Sequence, residues 1–197
     1  MKKTFVQMAR LVAVVFSVTP LTGLAMGDDL FWTGAADGKW GTGLNWTNNA
    51  GTASLFTSGS NVRFDGGASG KVVNLSAAVT AGTIFFESDQ DYTLTNAAGG
   101  KIAYATSFIK RGSGILTIGC TTHTYTNDIR VENGAVVANV PNAGASSPLG
   151  LATVERRIYV STNATLRLAE RNTFGGAETT NLKAEICVGR GTLEFGK

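Results

Sequence analysis

From about Val62 onward the apolar residues come in short bursts: "VRF", "KVVNL", "TIFFE", "YTLT", "KIAYA", "ILTI", "DIRV", "AVVANV", "RIYV", "TLRL", "EICV" and "TLEF". Within several bursts apolar and polar positions alternate, as at Leu116 and Ile118 or Leu166 and Leu168. That is the period of a strand with one buried face. Gly, Asn, Asp, Ser and Thr separate the bursts and supply turn chemistry. No window sustains apolar residues at i, i+3, i+4 and i+7 between capping residues, so no helix is predicted. The pattern predicts an all-β protein.

The bursts also recur in form. "SGILTIG" at 113, "NGAVVAN" at 133, "NATLRLA" at 163 and "RGTLEFG" at 190 each lead from a small residue or Asn into a small–aliphatic pair, with an apolar residue two positions on. Spacings of roughly 20 to 30 residues are those of stacked solenoid units, none of which buries its apolar face alone. A β-solenoid is therefore expected, with a β-sandwich as the alternative. Trp32, Trp40 and Trp46 all fall in the Gly-rich stretch "FWTGAADGKWGTGLNWTNN". The expected organisation is a leader over 1–25, a Trp-rich capping segment over 26–66 and solenoid repeats over 67–197. The final "GTLEFGK" has no polar closing unit to blunt a strand edge, so the repeat region is expected to be truncated there.

Residues 1–25 differ from the rest. Lys2, Lys3 and Arg10 precede the apolar run "LVAVVFSV", and Pro20 and small residues follow up to Ala25. That order is the order of a secretory signal peptide, and the run is too short to span a bilayer. The leader changes the meaning of the charge. The formal net charge of +3 is carried by these three cations, leaving fourteen basic against fourteen acidic residues. A neutral chain with no basic stripe gives no reason to expect nucleic acid as a partner. The expected location is outside the cell or on its surface, with no membrane span in the mature chain.

The segment "KRGSGILTIGCTTHTYTNDIRVENGAVVAN" resembles the autotransporter-associated β-strand repeat of bacterial surface and secreted proteins. Lys110, Gly112, Gly114, Leu116 and Ile118 match its first part, Thr124, Tyr125 and Thr126 its middle, and Val131, Gly134 and Val136 its last. The turn "GCTTH" is one residue longer than the family's, and Asn127 stands where the family favours Gly, a mild change because Asn also tolerates left-handed backbone. "WTG", "GKW" and "NW", then "NVRFDGG" and "TIFFESDQDYTLT", are similar to the leading segment of such proteins, so the likeness runs from about Leu30 to Val140. The resemblance implies a right-handed parallel β-helix passenger, exported and displayed at the outer membrane surface of a bacterium. It implies no catalytic residues and no cofactor. The alternating ten-residue strands of a terminal outer-membrane barrel do not occur in this sequence.

Candidate chemistry is sparse. Cys120 and His123, the chain's only histidine, form a C-x-x-H step. A zinc site wants four ligands, or three plus water, and a Cys–His nucleophile pair wants a third orienting group and a cleft. The step therefore reads as a turn between strands: His123 as a polar loop residue, Cys120 as a buried small hydrophobe or the partner of Cys187 in a single disulfide. Glu87, Asp89 and Asp91 alternate and would share a face at a strand end, a weak candidate Ca²⁺ site and, on a solenoid, a candidate pair of sugar-hydrolysing acids. Their plainer reading is a solvated turn, and Glu155, Arg156 and Arg157 likewise read as an exposed charged turn. Trp32, Trp40 and Trp46 are either a cap over the first coil or a platform for carbohydrate. Three functions follow: a non-catalytic adhesin-like display rod taking a polysaccharide or protein ligand, a carbohydrate-binding module using Trp40 and Trp46, and a β-helix enzyme acting on polysaccharide.

Overall fold

The structure, a computed structural model, describes residues 29–120, 122–140, 146–170 and 182–196. The leader-like segment 1–25 lies outside the described residues. In chain order the strands are β1 (Leu30–Trp32), β2 (Trp46–Thr47), β3 (Ala53–Ser54), β4 (Val62–Phe64), β5 (Val72–Leu75), β6 (Ala78–Phe86), β7 (Tyr92–Asn96), β8 (Lys101–Lys110) and β9 (Ile115–Ile118). They continue with β10 (Ile129–Val131), β11 (Gly134–Ala138), β12 (Ser146–Ser147), β13 (Gly150–Leu151), β14 (Arg156–Val160), β15 (Ala164–Leu168), β16 (Ala184–Val188) and β17 (Thr192–Phe195). Among the described residues there is no helix.

Two sheets run the length of the molecule. One has the order β16-β14-β10-β8-β6-β4-β1-β2-β3, the other β17-β15-β11-β9-β7-β5. From β4 onward the long-sheet neighbours pair in parallel, as do all neighbours in the second sheet, so each coil contributes one strand to each sheet. The result is a β-solenoid of about five turns. A sandwich of hairpins would pair neighbours antiparallel, so that alternative is excluded.

The recurrent sequence units are the second sheet. "ILTI", "AVVA", "TLRL" and "TLEF" stack as β9, β11, β15 and β17, with Leu116, Val136, Leu166 and Leu193 in one register column and Ile118, Ala138, Leu168 and Phe195 in the next. In the long sheet Val62, Ile84, Phe108, Ile129, Ile158 and Ile186 form a column in the same way. Apart from Phe195, which is exposed on the last strand, the columns face each other across the coil and make one core. Each fully buried aliphatic or aromatic side chain there contributes roughly 1.5–3 kcal/mol. Phe64 and Phe86 stack with ring centroids 4.3 Å apart, and Phe108 follows at 5.6 Å from Phe86.

Glycines sit where a corner of one coil touches the backbone of the previous one. Gly134 has a φ of 67°, and a Cβ there would lie 2.5 Å from the Gly112 carbonyl oxygen. Gly112 itself, at φ 90°, would meet the Ser88 carbonyl at the same distance. These positions need both the left-handed backbone and the missing side chain.

Candidate functional site

The three tryptophans close the first end of the stack. β1 pairs in parallel with β4, but β2 and β3 fold back antiparallel beyond it. Trp32, Trp40 and Trp46 are at most 1% exposed. Trp46 meets Trp32 and Trp40 edge-on at 5.0 and 5.3 Å, and Phe56 and Phe64 fill the remaining sides. Trp32 Nε1 donates to the Gly70 carbonyl and Trp46 Nε1 to the Trp40 carbonyl. The loop between β1 and β2 winds around Asn45, which is fully buried. Its Oδ1 accepts from the Ala36 and Asp37 amides and its Nδ2 donates to Asp37 and to the Lys39 and Thr42 carbonyls. No indole face is left for a sugar, which corrects the reading of Trp32, Trp40 and Trp46 as carbohydrate contacts: a coil end needs apolar cover, and these rings supply it.

Cys120 and His123 are brought together, but not at a surface. His123 is fully buried rather than the polar loop residue expected. Its Nδ1 accepts the Ile102 amide at 3.0 Å, so the ring proton belongs on Nε2, 3.0 Å from Cys120 Sγ. The Cys120 thiol in turn faces the Leu94 carbonyl at 3.7 Å. Burial pushes the thiol up to about 12 and the imidazole down to about 3, so both are neutral near pH 7. The pair is a hydrogen-bonded tie between coils. Cys120 and Cys187 are both free thiols, the first buried and the second half-buried on β16, so the Cys120–Cys187 disulfide is not formed. Cys187 stands beside Tyr159 in the long sheet, whereas Cys120 follows β9 of the other sheet.

Glu87, Asp89 and Asp91 occupy the corner between β6 and β7, and each is engaged with a different neighbour. Glu87 bridges Arg63 at 2.8 Å and Arg111 at 3.2 Å. Asp89 Oδ1 accepts from the Ser113 amide and hydroxyl, and Asp91 Oδ1 from the Ile115 amide. Among the described residues no group of three or more His, Cys, Asp or Glu could hold a metal ion. The trio is thus not the candidate Ca²⁺ cage, because its oxygens clamp the next coil instead. The hydrogen bonds from Ser113 keep the Asp89 carboxyl below its usual range.

These contacts extend into a ladder. Asp29, Arg63, Glu87, Arg111 and Glu132 alternate in sign up the outer face of the long sheet, and the guanidinium groups of Arg63 and Arg111 both lie on the Phe85 ring, at 4.3 and 5.0 Å. Burial acts to raise the Asp29 carboxyl, but hydrogen bonds from Asn61 and Arg63 outweigh it and leave it lowered.

Two cations were not legible as special. Lys110 lies in an inward column between Phe86 and Val131, 2% exposed. Its Nζ donates to the Gly112 carbonyl at 2.6 Å and the Asn133 carbonyl at 3.3 Å, tying two glycine corners together. Burial brings its amine down to about 8. Arg156 is not part of an exposed turn: it begins β14 on the face shared with Ile158 and Val160 and is 5% exposed, while Arg157 points outward. The alternation Arg156, Ile158, Val160 was the available signal, masked by three consecutive charges.

Fold and surface together define a β-solenoid whose coils are bound by an outer charged ladder, inner apolar columns and buried polar ties. The chain matches no family model, no curated protein and no solved structure.

Proposed function

We propose that this chain is an exported, non-catalytic β-solenoid rod that displays its loops at a bacterial cell surface, in the manner of an adhesin. The observation that supports this most directly is the way each coil is joined to the next: parallel backbone ladders on two sheets, apolar columns between them, and the alternating ladder from Asp29 to Glu132 outside. A stack so joined is stiff along its axis and leaves corner loops to vary without disturbing the core. The leader-like order of residues 1–25 supports export. Its partner would be a polysaccharide or protein of the surface or medium.

The full chain, produced with its leader in a Gram-negative host, tests the proposal. Export predicts a mature protein starting at Met26 and digested by protease added to intact cells, or recovered from the medium. A product that keeps Met1 and remains protected inside intact cells would refute it.

A further inference from the structure

Asn133 and Gly134 form the only Asn–Gly step in the chain. They make the corner between β10 and β11, where Asn133 is exposed and Gly134 adopts a φ of 67°. The Gly134 amide donates to Asn133 Oδ1 at 2.8 Å. Its nitrogen therefore lies against the carboxamide of the preceding side chain, since Cγ is bonded to that oxygen. A nucleophile held beside its electrophile avoids much of the entropic barrier to reaction. Glycine also brings no Cβ to obstruct the ring that the two would close.

A buried cation grips the same peptide unit. Lys110 Nζ donates to the Asn133 carbonyl at 3.3 Å as well as to the Gly112 carbonyl at 2.6 Å. A Cβ on Gly134 would come within 2.8 Å of that nitrogen, so the ammonium sits beside the Asn133–Gly134 peptide. With its amine brought down to about 8, Lys110 is still mainly cationic at neutral pH. Positive charge on a peptide carbonyl draws electron density from the peptide nitrogen and makes its N–H easier to ionise. The effect is stronger because Lys110 is buried.

We propose that Asn133 is a self-modification site: the Gly134 nitrogen attacks Asn133 Cγ, with Lys110 as the positioning residue that activates the attacking peptide. The Gly134 N–Cγ bond forms, the Cγ–Nδ2 bond breaks, and Nδ2 leaves as ammonia with the proton given up by the amide. Water then opens the cyclic imide at either carbonyl and leaves aspartate or isoaspartate at 133. Nothing is oxidised or reduced, and a water is consumed for each ammonia released. Both products put a carboxylate on the residue whose carbonyl holds Lys110, a cation that otherwise has carbonyl acceptors. The site rests on the geometry of this corner and not on export.

Peptide mass mapping of the folded full chain, aged at neutral pH below its Tm, tests this. Asn49, exposed and followed by Ala50, is the internal control. Asn133 should convert from amide to acid at least about tenfold faster than Asn49. Isoaspartyl methyltransferase should label the product, because isoaspartate arises through the imide and not by direct hydrolysis. Lys110→Met should slow Asn133 severalfold in the folded state and leave its rate in denaturant unchanged. A merely structural role for Lys110 would instead speed the reaction by freeing the corner. The Asn49 comparison and the isoaspartate label need no variant, so they decide the matter even where Lys110→Met fails to fold. Asn133 reacting no faster than Asn49, an acid product without isoaspartate, or a folded Lys110→Met chain reacting as fast as the native one would each overturn the proposal.

Discussion

Acidifying the medium from pH 7.5 to 4.5 should destabilise this protein through His123. The ring accepts the Ile102 amide on Nδ1, so protonation there would set two N–H groups against each other in a fully buried site. Burial holds the folded imidazole at about 3 against an ordinary 6.5. The unfolded chain therefore binds more protons anywhere between those values, and stability falls as pH falls through that window. At roughly 1 kcal/mol or a little more per pH unit over the two units below the ordinary value, the loss by pH 4.5 is about 3 kcal/mol, or roughly 5–10 °C in Tm for a chain of this size. Stopping at pH 4.5 keeps the lowered carboxylates Asp29, Asp37 and Asp89 out of the measurement, because their contribution is lost mostly below pH 4. His123→Gln retains an acceptor for Ile102 without titrating. Calorimetric Tm against pH should slope steeply for the native chain and be nearly flat for the variant. Equal slopes would refute the assignment.

Three further outcomes follow from the packing. In the native state iodoacetamide should label Cys187 and spare Cys120, whose thiol is buried and pushed up to about 12, and mass spectrometry should find no disulfide between them. Gly134→Ala should cost more than about 2 kcal/mol by denaturant unfolding, since the added Cβ meets the Gly112 and Gly114 carbonyls at 2.5 and 2.6 Å at a left-handed φ; a loss within about 0.5 kcal/mol would contradict the corner geometry. Trp46→Ala should cost about 3–5 kcal/mol, and acrylamide should barely quench the native fluorescence; free quenching would mean the cap is open.

How much of this was readable along the chain differs from residue to residue. Leu116, Val136, Leu166 and Leu193 announce a common face by local alternation, and they stack as their spacing implied. Glu87, Asp89 and Asp91 announce only a run of acids, because their partners Arg63, Arg111, Ser113 and Ile115 lie about a coil away in sequence and become neighbours through register alone. His123 offered no periodic signal, standing in a Thr-rich turn whose burial depends on Ile102, Leu94 and Cys120 converging.

The sequence by itself determined the strands, their inward faces and the repeat that makes stacking the way to bury them, since a two-residue period and a coil-length period are both local properties. Only the tertiary structure decided which groups meet. It turned three tryptophans into a closed end, a Cys–His step into an internal tie and Arg156 into a buried cation. The reason is physical: burial, hydrogen-bond partnership and charge pairing depend on distances between coils, and the register of parallel strands sets those distances only when the whole stack has formed.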